Sequence, residues 1–217
     1  RADMAIEDGR LSIRKRGIVL DNPLDTSRIP VPHEGARRKV ITAAGRLHSQ
    51  KNFDLLIRAF ARFYKTHHEY SLEIYGEGPE KHALMKTASS LGVAGAVHLP
   101  GQSKTLLPDI NDSTMFVLSS NYEGMPNVLI EAMACGLCCI ATDCPIGGVR
   151  SLLQNGENGL LIPIEDERAL LDAMTAVADD PELAARLGTN ARQIQQRLDE
   201  TVIAAEWRRY LETIVDR

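Results

Sequence analysis

The sequence predicts an α/β fold, a doubly wound parallel sheet with helices on both faces and extra helices at its carboxyl end. Three observations carry this expectation. Short apolar runs alternate with helical stretches from residue 39 to residue 178. The runs are continuously apolar, as strands covered on both faces require. After Asp179, Asp180 and Pro181 the pattern becomes purely helical.

KVITAAG (39–45) reads as the first strand. From Asn52 to about His68, Phe53, Leu56, Ile57, Phe60, Phe63 and Tyr64 recur at a spacing of three to four. That spacing predicts an amphipathic helix with Asn52 as N-cap. SLEIYG (71–76) is the second strand, followed by a helix from Pro79 to about Leu91, since proline suits a first helical position. Strand 96–99 precedes a helical turn near 103–111, and strand 114–119 precedes a helix from Pro126. Strand 138–142 leads to a short segment near 149–153, and strand 159–162 to helix 166–178. Helices over 181–197 and 200–215 follow, with Trp207 and Tyr210 as packing anchors on the last one. His67, His68 and His82 read as helix-surface residues. The stretch 21–37 bears prolines without periodicity and reads as a linker.

A chain of 217 residues, 44% hydrophobic and 25% charged, suits one soluble globular domain with an appendage, or two small domains. Its net charge of −4 argues against a nucleic-acid surface. No apolar run reaches membrane-span length and no amino-terminal signal pattern occurs. A chain opening on Arg1 is expected to be a fragment of something longer. Cys135, Cys138, Cys139 and Cys144 fall close together, and Cys135 and Cys138 have CxxC spacing. Without a second ligand pair, and with Cys138 and Cys139 adjacent in a strand, they read as core thiols in a reducing cytoplasm rather than a zinc site.

Ligands of an open parallel sheet bind beyond the carboxyl ends of its strands. The loops there are GRLHSQK (45–51), GEGPE (76–80), GQS (101–103), SNYEGMPN (120–127) and DCPIGG (143–148). Each carries glycine, several just before a helix, so Gly45, Gly76, Gly101 and Gly124 could let backbone N–H groups approach an anion. This makes a nucleotide or phosphate site the expectation. GEGPE lacks the third glycine of a dinucleotide fingerprint, because position 81 is Lys81. Neither a GxxxxGK[ST] loop nor a serine nucleophile elbow occurs.

Arg46 and Lys51 could converge on one diphosphate, or stand as solvated surface charges. His48 in the same loop could donate to an oxygen. Gly124 and Pro126 divide two glutamates: Glu123 belongs to the loop, and Glu131 to the second turn of an apolar, buried helix. A carboxylate there needs a partner. A sugar diol would serve, and so would an internal cap or arginine.

Glu123 and Glu131, with seven residues between them, resemble the paired-glutamate signature of family 4 retaining glycosyltransferases of the GT-B fold. AAGRLHSQKNFDLLIRAF, LEIYGEGPE, VHLPG, SSNYEGMPNVLIEAMACGLCCIAT, NGENGLLIP and the NP at Asn22 and Pro23 are similar to that family over most of the chain. The resemblance implies a Rossmann-like domain, the carboxyl-terminal, donor-binding half of such an enzyme. Residues 1–38 would be a linker from a missing amino-terminal domain, 39–197 the donor domain, and 198–217 a helix packing back toward that missing domain. It further implies a retaining hexosyltransferase, moving a hexose or N-acetylhexosamine from a nucleoside diphosphate sugar, UDP above all, to a saccharide or lipid-linked acceptor in glycan biosynthesis. Arg46 and Lys51 would hold the diphosphate, Glu123 the sugar hydroxyls and Glu131 the ribose. Gly124, Met125, Asn127 and Val128 would line the sugar and phosphate pocket, and the backbone from Leu99 through Gly101 to Gln102 would face the base. No metal and no covalently bound cofactor is expected. The implied location is cytoplasmic, with room for peripheral attachment of the full-length enzyme to the inner membrane. The fragment alone is expected to catalyse little. Competing readings are a non-catalytic nucleotide-sugar-binding module and a GT-B sugar-nucleotide epimerase. Two departures stand out: Cys138 replaces the usual proline, and Ser151 a frequent glutamate.

Overall fold

The computed structural model describes residues 20–145 and 147–215. Ile146 of the last predicted loop, and residues 1–19 of the predicted linker, lie outside the described residues. Six strands form one parallel sheet: β1 (Arg38–Ala44), β2 (Ser71–Tyr75), β3 (Val97–Gly101), β4 (Ser113–Leu118), β5 (Cys138–Thr142) and β6 (Leu160–Ile162), in the order β3-β2-β1-β4-β5-β6. The crossovers carry α1 (Phe53–Phe63), α2 (Lys81–Ser90), α3 (Leu106–Ile110), α4 (Asn127–Ala134) and α5 (Gly148–Leu152). After β6 come α6 (Glu167–Asp179), α7 (Pro181–Ala191), α8 (Ile194–Arg197) and α9 (Glu200–Val215). The strand order is that of a dinucleotide-type doubly wound sheet.

The two-residue period of a strand divides the core. On one face Ile41, Ala43, Met115, Val117, Cys138 and Ile140 pack with Phe60 of α1 and Met174 of α6. On the other, Ala44, Phe116, Leu118, Cys139 and Ala141 pack with Leu129 and Met133 of α4. Truncating a fully buried ring such as Phe60 would cost about 3–5 kcal/mol. Adjacent cysteines Cys138 and Cys139 thus face opposite layers, and all four cysteines are free and buried.

Several local expectations are corrected. Helix α1 ends at Phe63, and the following turn tucks His67 inward. His67 is buried rather than on a helix surface, stacked on Phe63 with ring centroids 4.2 Å apart and 3.0 Å from Asp179 Oδ1. Pro126 is the N-cap of α4, so that helix starts one residue later than its proline suggests. The stretch 181–197 is broken at Arg192 and Gln193 into α7 and α8. Trp207 is 46% exposed and lines an open apolar groove with Pro23, Ile203 and Leu211 rather than anchoring a core.

Candidate functional site

Strands β1 and β4 are neighbours, and the chain leaves them toward opposite edges of the sheet. Their following loops therefore diverge and open a crevice at the carboxyl ends, where parallel sheets bind ligands. The loop after β1 (45–52) and the loop after β4 (119–126) are stitched together. Asn121 N–H donates to Gln50 O at 2.8 Å, Gln50 Nε2 to Tyr122 O at 3.0 Å, and Ser119 Oγ to Lys51 O at 2.8 Å. Asn52 adopts a left-handed φ of 46°, caps α1 through Leu55 N–H and donates to Asn121 Oδ1 at 2.9 Å. His48 is used within its own turn, its Nδ1 accepting from Gln50 N–H.

Two glycines set how closely these loops approach one another. A Cβ on Gly76 would stand 1.9 Å from Gly45 O, and one on Gly148 would stand 1.2 Å from Gly124 O. Backbone packs on backbone at both points, so glycine is required there before any ligand is considered. At Gly124 itself a Cβ would meet nothing within 4 Å.

Lys51 and Glu123 are brought together. Lys51 Nζ lies 2.5 Å from Glu123 Oε1, and Ser120 Oγ donates to the same oxygen at 2.7 Å. Both charged side chains are largely withdrawn from water, at 14% and 9% exposure. The pair is thus a buried, hydrogen-bonded ion pair whose separation would be costly. Lys51 is paired with Glu123 within the protein, and its stem runs past Gly45, the neighbour of Arg46.

A second group surrounds a cavity of about 400 Å³ between the loops after β1, β2 and β3 and helix α4, and neither Glu123 nor Gly124 is among its lining residues. Gly45, Arg46, Gly76, Gln102, Asn127, Val128 and Glu131 line it, together with Tyr75, Ser103 and Leu106. Arg46 is exposed and has no ion-pair partner among the described residues. Glu131 is half-buried, and its carboxylate accepts no hydrogen bond among the described residues. Burial pushes its pKa above the ordinary carboxylate value, a shift that Arg28 partly opposes. Arg28 and Glu131 also line a smaller neighbouring cavity of about 140 Å³. The internal partner considered for Glu131 is therefore at most this longer-range arginine.

Met125 is not among the cavity's lining residues, and its Sδ receives Asn22 N–H at 3.0 Å; Gly101 is buried with Glu77 Oε1 near its Cβ position. Sequence reasoning missed Ser120 and Tyr75. Ser120 precedes the glutamate loop without any special pattern. Tyr75, whose hydroxyl donates to Glu73 Oε2 at 2.7 Å, ends a strand directly before a glycine. Among the described residues no group of three or more His, Cys, Asp or Glu could hold a metal ion. Burial pushes the Cys135 and Cys138 thiols up to about 12.

The family model described as glycosyl transferases group 1 matches residues 28–194. The chain is 32% identical over 173 residues to an N-acetylgalactosaminyltransferase of Campylobacter jejuni named for a diphospho-undecaprenol substrate, covering 80% of this chain and 46% of that protein. It superposes on Staphylococcus aureus TarM, crystallised as a point mutant with UDP among its ligands, at a TM-score of 0.82 and 24% identity, over 89% of this chain and 39% of that one. It also superposes on the carboxyl-terminal domain of a group 1 glycosyl transferase of Francisella tularensis, at a TM-score of 0.72 and 20% identity, over 80% of this chain and 97% of that one. The chain spans from about a fifth to about half of the length of curated relatives it matches.

Proposed function

The chain belongs to the glycosyl transferases group 1 family, and on that premise we propose that it is the donor-binding half of a retaining glycosyltransferase of family 4. The single observation that carries the reading is the meeting, in one cavity, of Arg46 and the half-buried Glu131, the first without an ion-pair partner and the second without a hydrogen-bond donor among the described residues. A nucleoside diphosphate satisfies both: its phosphates meet Arg46, and the two ribose hydroxyls donate to Glu131. Glu123 takes hydroxyls of the transferred sugar, with Lys51 as its counter-charge and a second cation near the leaving diphosphate. UDP is the proposed nucleotide, since TarM holds it on the same fold. A hexose or N-acetylhexosamine passes to a saccharide or lipid-linked acceptor, as in the C. jejuni relative's name.

Departure of the diphosphate concentrates negative charge, and the Arg46 guanidinium beside it stabilises that charge. The leaving phosphate deprotonates the acceptor on the same face, which retains the anomeric configuration. The apolar groove of about 930 Å³ between Pro23 and α9 faces the missing amino-terminal half in this reading, and 39–197 is the donor domain. No helix of the described residues is long and apolar enough to cross a membrane.

Calorimetric titration with UDP, GDP, ADP and their sugars tests the assignment. UDP binding that weakens about tenfold or more in Arg46→Ala is expected, whereas failure of every nucleotide to bind would overturn it. Proton NMR of the full-length enzyme's product reads the anomeric configuration, and an inverted product would end the retaining proposal.

A further inference from the structure

We infer that Ser120 is a positioning residue, holding Glu123 so that Oε1 is occupied within the protein and Oε2 is presented to a hydroxyl of the bound sugar. The inference rests on the sugar-facing reading of Glu123 given above.

Ser120 is fully buried, and its hydroxyl spends its single hydrogen on Glu123 Oε1 at 2.7 Å. The Lys51 ammonium occupies the same oxygen. An ammonium is a point charge on a flexible stem with rotatable donors, so alone it would let the carboxylate swing about its last torsion. A second donor on a short, buried side chain removes that freedom. Ser120 is itself held in place: its carbonyl accepts from Thr142 Oγ1, at the carboxyl end of the adjacent strand β5, and Thr142 also donates to Leu118 O. The carboxylate is thus referenced to the sheet rather than to the loop that carries it.

The consequence lies on the other oxygen. Oε2 accepts no hydrogen bond among the described residues, although Glu123 as a whole is only 7% exposed. A carboxylate oxygen with its acceptor sites free gains from a hydroxyl donor, and a sugar supplies one. A Cβ on the adjacent Gly124 would meet nothing within 4 Å. Catalytic groups need placement within about half an ångström, which one rotatable contact does not secure.

The test uses the full-length enzyme, with rates measured against donor concentration for Ser120→Ala, Ser120→Cys and, as reference, Glu123→Gln. Affinity for UDP without sugar is measured in parallel by calorimetry. The expected result is a fall in kcat/KM of about tenfold or more in both Ser120 variants, the loss of one hydrogen bond to a charged group. Affinity for UDP stays within about threefold of wild type, because the nucleotide does not touch Glu123. Unchanged kcat/KM in the Ser120 variants beside an impaired Glu123→Gln overturns the inference. So does a loss of UDP affinity that matches the loss in kcat/KM, which would make Ser120 a general prop for the loop. An unimpaired Glu123→Gln refutes the reading of Glu123 itself and takes the inference with it. Ser120→Cys keeps the side chain's shape with a weak donor, so it decides the matter if Ser120→Ala does not fold.

Discussion

Replacing Glu131 with glutamine should stabilise the unliganded protein and weaken its hold on nucleotide. Burial favours the protonated carboxyl, so its pKa in the folded chain lies above its unfolded value. Below the unfolded value both states are protonated and the residue costs nothing. Between the two values the unfolded chain releases its proton first, so stability falls as pH rises through that window. Above the folded value the whole penalty persists, including at neutral pH. For a half-buried group without a partner it amounts to about 1 kcal/mol, the low end of measured costs for unsatisfied polar groups. In a chain of this size that is a rise in Tm of about 2–4 °C for Glu131→Gln. With UDP present the order reverses. Hydroxyl bonds to a charged acceptor contribute about 1.5–3 kcal/mol each, so affinity should fall about tenfold to a hundredfold. Thermal melts from about pH 4 to about pH 8, with and without UDP, read both effects. A variant that melts lower without ligand would show that Glu131 has an internal partner. UDP affinity equal to wild type would remove the ribose from this carboxylate.

Three further outcomes follow from the same geometry. Lys51→Met leaves Glu123 buried and uncompensated and should cost about 3–5 kcal/mol in urea unfolding. Adding Glu123→Gln to it should restore much of that loss, whereas strictly additive single effects would mean that the pair is not coupled. Gly148→Ala drives a methyl group into Gly124 O, so the 120–126 loop must move. A loss of about 2 kcal/mol or more is expected, together with weaker nucleotide-sugar binding, and an unaffected variant would contradict the backbone contact. Finally, the buried thiols, with Cys135 and Cys138 at about 12, should resist Ellman's reagent in mildly alkaline buffer until guanidinium unfolds the chain. Rapid labelling of the native protein would show one of them to be accessible.

Much of the fold was legible in the residues themselves. Continuous apolar strands, helical spacing and the proline and glycine punctuation placed nearly every element within a few residues, because these signals are local. The end of α1 moved through a tertiary contact. The turn after Phe63 is bent inward by His67 stacking on Phe63 and reaching Asp179, a partner far along the chain that no local spacing reveals.

The candidate site divides in the same way. The sequence by itself determined which loops lie at the carboxyl edge, that Glu123 and Glu131 belong to different elements, and that Glu131 would need a partner. It offered Arg46 and Lys51 as one pair, since they share a loop. Only the tertiary structure set Lys51 against Glu123 and put Arg46 and Glu131 around one cavity. It also showed that Gly76 and Gly148 stand where a neighbouring backbone leaves no room for a Cβ. Propensity and periodicity act over a few residues. Which charge meets which depends on β1 and β4 lying side by side, a pairing between distant parts of the chain (Arg38 opposite Ser113) that exists only once the sheet is assembled.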